Sequence, residues 1–510
     1  MPDTDIRSVA GGGSTGTAYI ETRNFINGEF APSSNNKVFE VWSPYQQVKV
    51  ADVFEASVDD VNRAVAAAKA AFPAWAALSP AERGVHLAKF AQLIRDNEKE
   101  LAYLDTVCMG RCVSQFVDAA RISLMFDYYA TAGYDAKGIT SLNTPGYVNM
   151  TFRQPFGPVA AIAPWNIPTS MFGMKCAPAL GAGCTVVLKS SEKSPLSALK
   201  LAALSKEAGF PPGVLNVVSG YGEPVGSTLA SHMDIRMISF TGSTATGQKI
   251  QVAAANSNLK KVVLELGGKS PCLVFEDADL GLAVNEAAFS VQANMGQACM
   301  ANSRIYVQET IADAFIKAFV DVFNSARKGD PLRTDTEHGP QADKIQFERV
   351  KSYLKLASEG RGKLELGGSE MLVNGTGYFI RPTVYSNVPE DEQTQVEEVF
   401  GPFCSINTFK TEAEVIEKAN ATTFGLYASV YTQDMSRALR VAKAFESGSV
   451  GINCTSPMHA EDLPFGGYKL SGQGREGFGY SMNEYLEEKT VLIKLSGTPA
   501  LTLKTFSQQH

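Results

Sequence analysis

The chain is 510 residues long, 45% hydrophobic and 19% charged, a globular balance in a length that exceeds any single core, so two or three domains are expected. Its 46 basic and 53 acidic side chains leave a formal charge of −7 with no long basic run, which excludes nucleic acid and anionic membrane surfaces as partners. No apolar stretch approaches the ~20 residues that cross a bilayer, and the opening MPDTDIRSVAGGGSTG has no apolar signal segment, so a cytoplasmic location follows.

In chain order, residues 1–20 read as a loose tail. Ser57-Val-Asp-Asp60 caps a helical run, VNRAVAAAKAAFPAW, and a second helical stretch extends from about Ala81 to Val107. Residues 139–156 read as an extended segment outside either core. Short apolar strands then alternate with helices. The strands are GPVAAIAP (157–164), TVVLKSS (185–191), VLNVVSG (214–220), MISFTGS (237–243) and KKVVLELGG (260–268). The helices are MFGMKCAPALGAG (171–183), PLSALKLAALSKEAG (195–209), EPVGSTLASH and TATGQKIQVAAANSN. This alternation predicts a doubly wound parallel sheet with ligands at the carboxyl ends of its strands. Those ends read APWN, LKSSE, VSGYG, FTGS and LELGG, all polar or glycine-rich. A second alternating block starts near Pro271, with a Gly-rich hairpin region at about 359–388. The segment 485–497 is a further extended arm, and such arms commonly add strands to a partner subunit.

Eight cysteines stand at 108, 112, 176, 184, 272, 299, 404 and 454 without a C-x-x-C pair. No metal site is expected, and separate reduced thiols are the simplest reading. Cys299, in GQACMANSR, has small neighbours; it is either a packed hydrophobe or a nucleophile with space for a carbonyl. GSTATGQK (242–249) lacks the ending of an ATPase phosphate loop, yet its glycine turn into a helix can present N–H groups to a pyrophosphate. Lys189 and Glu192 can bind a ribose diol or form a solvated surface pair. Glu265 ends an apolar strand, either as a satisfied cap or as a general base of raised pKa. Asn166, where a strand gives way to a helix, is either a turn residue or a donor to an oxyanion.

Taken together, APWN (163–166), FTGSTATG (240–247), ELGGK (265–269), GQAC (296–299), EEVFGP (397–402) and PFGGYKLSGQGRE (464–476) resemble, in order and spacing, the aldehyde dehydrogenase superfamily. The resemblance runs from NFINGEF (24–30) to EEKTVLIK (487–494). It implies Cys299 as catalytic thiol, Glu265 as general base and Asn166 as oxyanion-hole side chain, with Lys175 and Glu476 as a proton relay. For NAD it implies Ala163, Pro164, Trp165, Lys189, Glu192, Gly222, Gly242, Ser243, Gly247, Leu266, Gly267, Gln346, Glu398 and Phe400. The aldehyde funnel is assigned Ile167, Met171, Met174, Met300, Met458, His459 and Phe465. Several relatives carry aromatic residues at the positions of Ile167, Met174 and His459, so a roomy, apolar, methionine-lined funnel is expected here.

The implied architecture is α/β, with an NAD-binding domain (21–138 and 157–267), a catalytic domain (268–478) and a small β arm for oligomerisation (139–156 and 479–510). A homodimer or homotetramer is expected. Glu265 favours hydrolysis of a thioester over its transfer to another thiol, and Glu192 favours NAD over NADP. The alternatives are an acylating or reductase relative and a non-catalytic, crystallin-like protein on the same fold. A nucleophilic cysteine should also have a lowered pKa.

Overall fold

Two parallel sheets and one small antiparallel sheet organise the computed structural model, which describes residues 20–500. The expected tail over 1–20 therefore lies almost wholly outside the described residues, as do the last ten residues of the expected arm.

The first sheet is built on five parallel strands in the spatial order Leu215–Ser219, Thr185–Ser190, Pro158–Ile162, Met237–Thr241, Lys261–Glu265. All but Lys261 of these strand residues are buried on both faces, as a helix-covered parallel sheet requires. Chain order reverses between Pro158–Ile162 and Met237–Thr241, and such a switch point opens a crevice at the carboxyl ends of the strands. Antiparallel edges are added by Asn24–Ile26 with Glu29–Ala31 and, on the far side, by Gly472–Gln473 against Leu264 and Glu265. The chain thus returns to the first sheet before residue 478.

The second sheet orders Lys363–Leu366, Thr383–Ser386, Phe403–Phe409, Arg304–Gln308, Pro271–Val274, Tyr427–Tyr431 and Ser449–Ile452, parallel except for its first strand. The third sheet pairs Leu486–Lys494 with Tyr147–Pro155, and the latter with Thr140–Ser141.

Local chemistry explains the boundaries. Ser57 accepts the Asp60 N–H at 3.1 Å while the Asp60 carboxylate accepts the Ser57 N–H at 2.9 Å, a reciprocal cap that starts the helix Val58–Ala77. The stretch expected as one helix from Ala81 to Val107 divides at Asn97 into Pro80–Asp96 and Glu98–Met109. There the Asn97 carboxamide donates to the Leu93 carbonyl at 2.8 Å and ends the first helix. EPVGSTLASH is α-helical only over Ser227–Ser231; a wider turn over Gly222–Gly226 precedes it, with Glu223 held extended ahead of Pro224.

Candidate active site

The strand Pro158–Ile162 ends in Ala163-Pro-Trp-Asn166, and the helix Pro168–Ala182 begins two residues later. Pro168 suits the first helical position, where no N–H is needed. No side chain of the local segment caps this helix. Instead Asp105 accepts the Thr169 N–H and Asp118 accepts the Ser170 hydroxyl, both carboxylates being buried against the positive end of the helix. Asn166 is thereby held at the switch point, with its Nδ2 donating to the Gln297 carbonyl at 2.9 Å. The second hydrogen of that amide is left to meet another acceptor.

Gln297 belongs to the loop that carries Cys299. Three consecutive residues ahead of it, Asn294, Met295 and Gly296, adopt left-handed backbone with φ of 49°, 55° and 72°. Such a run is unfavourable for a methionine and has to be held from outside. The Asn294 carboxamide donates to the carbonyls of Asn166 at 2.9 Å and Gln297 at 3.2 Å. The Asn294 N–H donates to Gln115 Oε1 at 3.0 Å, and the Ala342 N–H to Gln297 Oε1 at 2.9 Å. Gly296 is obligatory: a Cβ there would lie 1.9 Å from the Gly401 carbonyl oxygen.

The Leu-Gly-Gly turn after Glu265 supplies the opposite wall. A Cβ on Gly268 would lie 2.4 Å from the Cys299 carbonyl oxygen, and one on Gly267 would lie 2.4 Å from Glu398 Oε2. The glycine pair therefore lets this turn lie directly against the Glu398 carboxylate and the Cys299 backbone. Glu398 accepts the Gly268 N–H at 3.1 Å, and burial pushes its carboxyl up to about 7. Glu265 is 4% exposed, and neither of its oxygens has a hydrogen-bond partner. Burial, reinforced by the charge of Glu476, raises it well above the usual carboxylate range. Glu476 lies 3.3 Å from the Lys175 ammonium, which also donates to Ser239 at 3.0 Å; both members of this pair are buried.

The thiol departs from expectation. Cys299 is pushed up to about 12 instead of down, first by burial and then by the Glu398 and Glu265 carboxylates, with only backbone N–H groups acting the other way. No cationic side chain among the described residues lowers it, so the depressed pKa expected of a nucleophilic cysteine is not what burial produces here.

Along the carboxyl edge of the first sheet, buried Lys189 donates to the Ser190 carbonyl at 2.9 Å and lies 3.9 Å from Glu192. Ser243 caps the helix Thr244–Ala255 by accepting the Thr246 N–H. Gly247 packs so closely on Leu266 that a Cβ would lie 2.7 Å from its Cδ2, and Gly222 faces open space. Trp165 meets the Phe400 ring edge-on at 5.3 Å, and Gln346 Nε2 donates to the Phe400 carbonyl at 2.7 Å, stabilising the left-handed Phe400 (φ 59°). These residues fit NAD: Lys189 and Glu192 offer a donor and an acceptor to a diol, the Ser243 helix start offers free N–H groups, and the Glu398 carboxylate has spare acceptor capacity.

A cavity nearby is lined by Met174, Phe465 and His459. Met171 and Ile167 pack with the core, Met300 anchors its carbonyl on Ser456 Oγ at 2.7 Å, and Met458 turns away from the cavity at 67% exposure. The methionines that line this cavity are Met174, among those expected at the funnel, and Met125, which was not.

A family model described as "Aldehyde dehydrogenase family" matches residues 30–491. The chain belongs to the aldehyde dehydrogenase family. It is 43% identical to an aldehyde dehydrogenase of Alternaria alternata over 484 residues, 94% of this chain and 97% of that protein. Human retinal dehydrogenase 2 is 43% identical over 479 residues, covering 93% and 92%. The solved structure of PnpE from a Pseudomonas species, in complex with nicotinamide adenine dinucleotide, superposes with a TM-score of 0.92 at 39% identity, covering 95% of this chain and 99% of that one.

For this aldehyde dehydrogenase the sequence reading missed Asn294, Gln297 and Gln115 at the thiol loop, and Arg121 in the lining of the cavity. Gln297 lies inside the quoted GQAC motif and was legible as a neighbour of the thiol. Gln115 and Arg121 precede Cys299 by well over a hundred positions and carry no local signal.

Proposed function

We propose the following division of labour for the NAD-dependent oxidation of aldehydes by this family member. The Cys299 sulfur adds to the aldehyde carbon as its proton passes to Glu265, and the free hydrogen of the Asn166 amide, with the Cys299 N–H, stabilises the resulting oxyanion; one such donor contributes about 3 kcal/mol to the barrier. NAD, when bound, supplies the acceptor for the hydride that leaves the thiohemiacetal carbon. The thioester then left on Cys299 is attacked by water, whose proton goes to Glu265, and the carboxylic acid departs with release of the thiol. Lys175 and Glu476 carry that proton away from Glu265. Lys189, Glu192, Gly242, Ser243, Gln346, Glu398 and Phe400 hold the cofactor, and Glu192 disfavours a 2′-phosphate.

The observation that supports this reading is one geometry: the Asn166 amide bonds the strained loop of Cys299, and the charge of a buried, partnerless Glu265 acts on that thiol. An unpaired buried carboxylate is costly to keep, and a general base justifies it. The experiment is NADH formation under single-turnover conditions. Cys299→Ala should form none while still binding NAD, and Glu265→Gln should give at most one burst per site. Multiple turnovers at the normal rate in Glu265→Gln would assign the base elsewhere.

The first sheet, in this proposal, forms the NAD-binding domain and the second the catalytic domain. The antiparallel sheet mediates a homodimer or homotetramer: its edge strand Leu486–Lys494 leaves Leu492 and Ile493 exposed, an apolar edge suited to pairing with another copy. No helix among the described residues is long and apolar enough to cross a membrane. A cytoplasmic location fits the eight unpaired thiols.

A further inference from the structure

The cavity beside the proposed aldehyde funnel has a mixed lining. Met125, Tyr129, Met174, Phe465 and Phe478 contribute apolar surface, while Arg121, His459, Glu461 and Glu476 bring charge and hydrogen bonding. Arg121, Met125 and Tyr129 lie at successive i, i+4 positions on the helix Asp118–Ala132, so a single helix face presents both kinds of surface to the cavity.

Arg121 Nε donates to Glu461 Oε1 at 2.6 Å, and its Nη2 donates to His459 Nε2. Because a guanidinium cannot accept, His459 carries its proton on Nδ1, which donates to the Pro457 carbonyl at 3.2 Å. The His459 ring is also braced against Phe465, centroid to centroid 5.7 Å. Burial opposes the charge on Glu461, but the Arg121 guanidinium on its Oε1 outweighs it and holds that carboxyl below the usual carboxylate range. Arg121 and Glu461 thus pair as opposite charges with His459 beside them, and the three side chains are only 15–23% exposed. One guanidinium nitrogen, Nη1, has no partner among the described residues.

We propose that the Arg121–His459–Glu461 triad recognises the distal end of the substrate, selecting aldehydes that carry an acceptor oxygen there over alkyl aldehydes of the same shape. This rests on the dehydrogenase reading above and on the cavity belonging to its aldehyde funnel. A purely apolar tail filling the cavity strips water from the free Nη1 without replacing it, whereas a ketone or carboxylate oxygen restores that hydrogen bond. The charge of Arg121 is already balanced by Glu461, so a neutral acceptor suffices.

The test compares kcat/KM, by NADH formation, for three matched series of four to eight carbons: aldehydes ending in a methyl ketone, in a carboxylate, and in an isopropyl group. At the chain length that reaches the triad, an acceptor series should exceed the isopropyl series by roughly tenfold, chiefly through KM. In Arg121→Met this ratio should fall close to one. Arg121→Lys, which keeps a donor but loses the fork, should give an intermediate ratio and serves if the methionine variant does not fold. A ketone preference assigns a neutral acceptor and a carboxylate preference an anion, and either supports the proposal. Equal or better turnover of the isopropyl series at every length, or a ratio unchanged in both variants, overturns it while leaving the dehydrogenase standing. Silence on all three series with NAD bound counts against the dehydrogenase reading itself, and this proposal falls with it.

Discussion

Asn294 has no reactive group, yet its carboxamide joins two carbonyls that belong to different parts of the site, one at Asn166 and one at Gln297. Removing it takes the carboxamide donor from the buried Asn166 carbonyl, at a cost of about 1–3 kcal/mol, and places alanine in left-handed backbone. Asn294→Ala should lower the unfolding midpoint and reduce kcat by at least roughly tenfold, with a smaller change in KM. An unaltered kcat in the folded variant would mean that the Cys299 loop is held by other contacts. Glu398 makes a second prediction at this scale. Its carboxyl titrates at about 7 in the folded, cofactor-free protein against 4.5 for an ordinary glutamate, so the folded state holds the proton more tightly. The stability this contributes is fully present below pH 4.5 and is lost as pH rises through about 7, by at most about 3 kcal/mol, reduced because the residue is partly exposed. Relative to Glu398→Gln, the wild type should therefore lose thermal stability between pH 5 and pH 8. A constant difference between the two across that range would exclude the effect.

Glycines decide the packing of whole elements. The helix Pro168–Ala182 is buried along its full length, and its Gly173 lies so near the helix Asp118–Ala132 that a Cβ would sit 2.3 Å from Ile122 Cγ2. Gly181 makes a similar approach to Tyr129, at 2.9 Å. Gly173→Ala should overpack this pair by about 1–3 kcal/mol, and it should also disturb activity, because the same two helices carry Asn166 at one end and Arg121, Met125 and Tyr129 along one face. Denaturant unfolding alongside kcat/KM measures both effects, and a variant as stable as wild type would show that Ile122 can move aside. The small-residue composition of this helix was visible in MFGMKCAPALGAG. Which helix it approaches was not, since Ile122 lies about fifty positions earlier and nothing local marks it.

At the scale of the molecule, loops from distant parts of the chain brace one another around the site. His338 is wholly buried: its Nε2–H donates to the Ile380 carbonyl at 2.8 Å while Nδ1 accepts from Gln292 at 2.9 Å, tying the helix Leu280–Gln292 to the second sheet's connections. Burial lowers its pKa to about 4 from 6.5, so the unfolded chain takes up the proton first as pH falls. The stability from neutral His338 is complete above about pH 6.5 and is lost as pH falls through about 4, up to about 3 kcal/mol. His338→Gln should be less stable than wild type at pH 7, and the gap should narrow by pH 4; a gap independent of pH would rule this out.

The sequence by itself determined the alternation of strands and helices, the two parallel sheets it implies, and the ordered motifs that carry Cys299, Glu265, Asn166 and Glu398. Those features are written in neighbouring residues, because period, capping and glycine turns act over a few positions. Tertiary structure alone decided that burial and two carboxylates push the Cys299 thiol up, that Asn294 clasps the Asn166 and Gln297 carbonyls, that Met458 faces solvent, and that Arg121 meets His459 and Glu461. Each of these depends on partners far apart in the chain or on burial, and burial and charge act through space once the two sheets have come together.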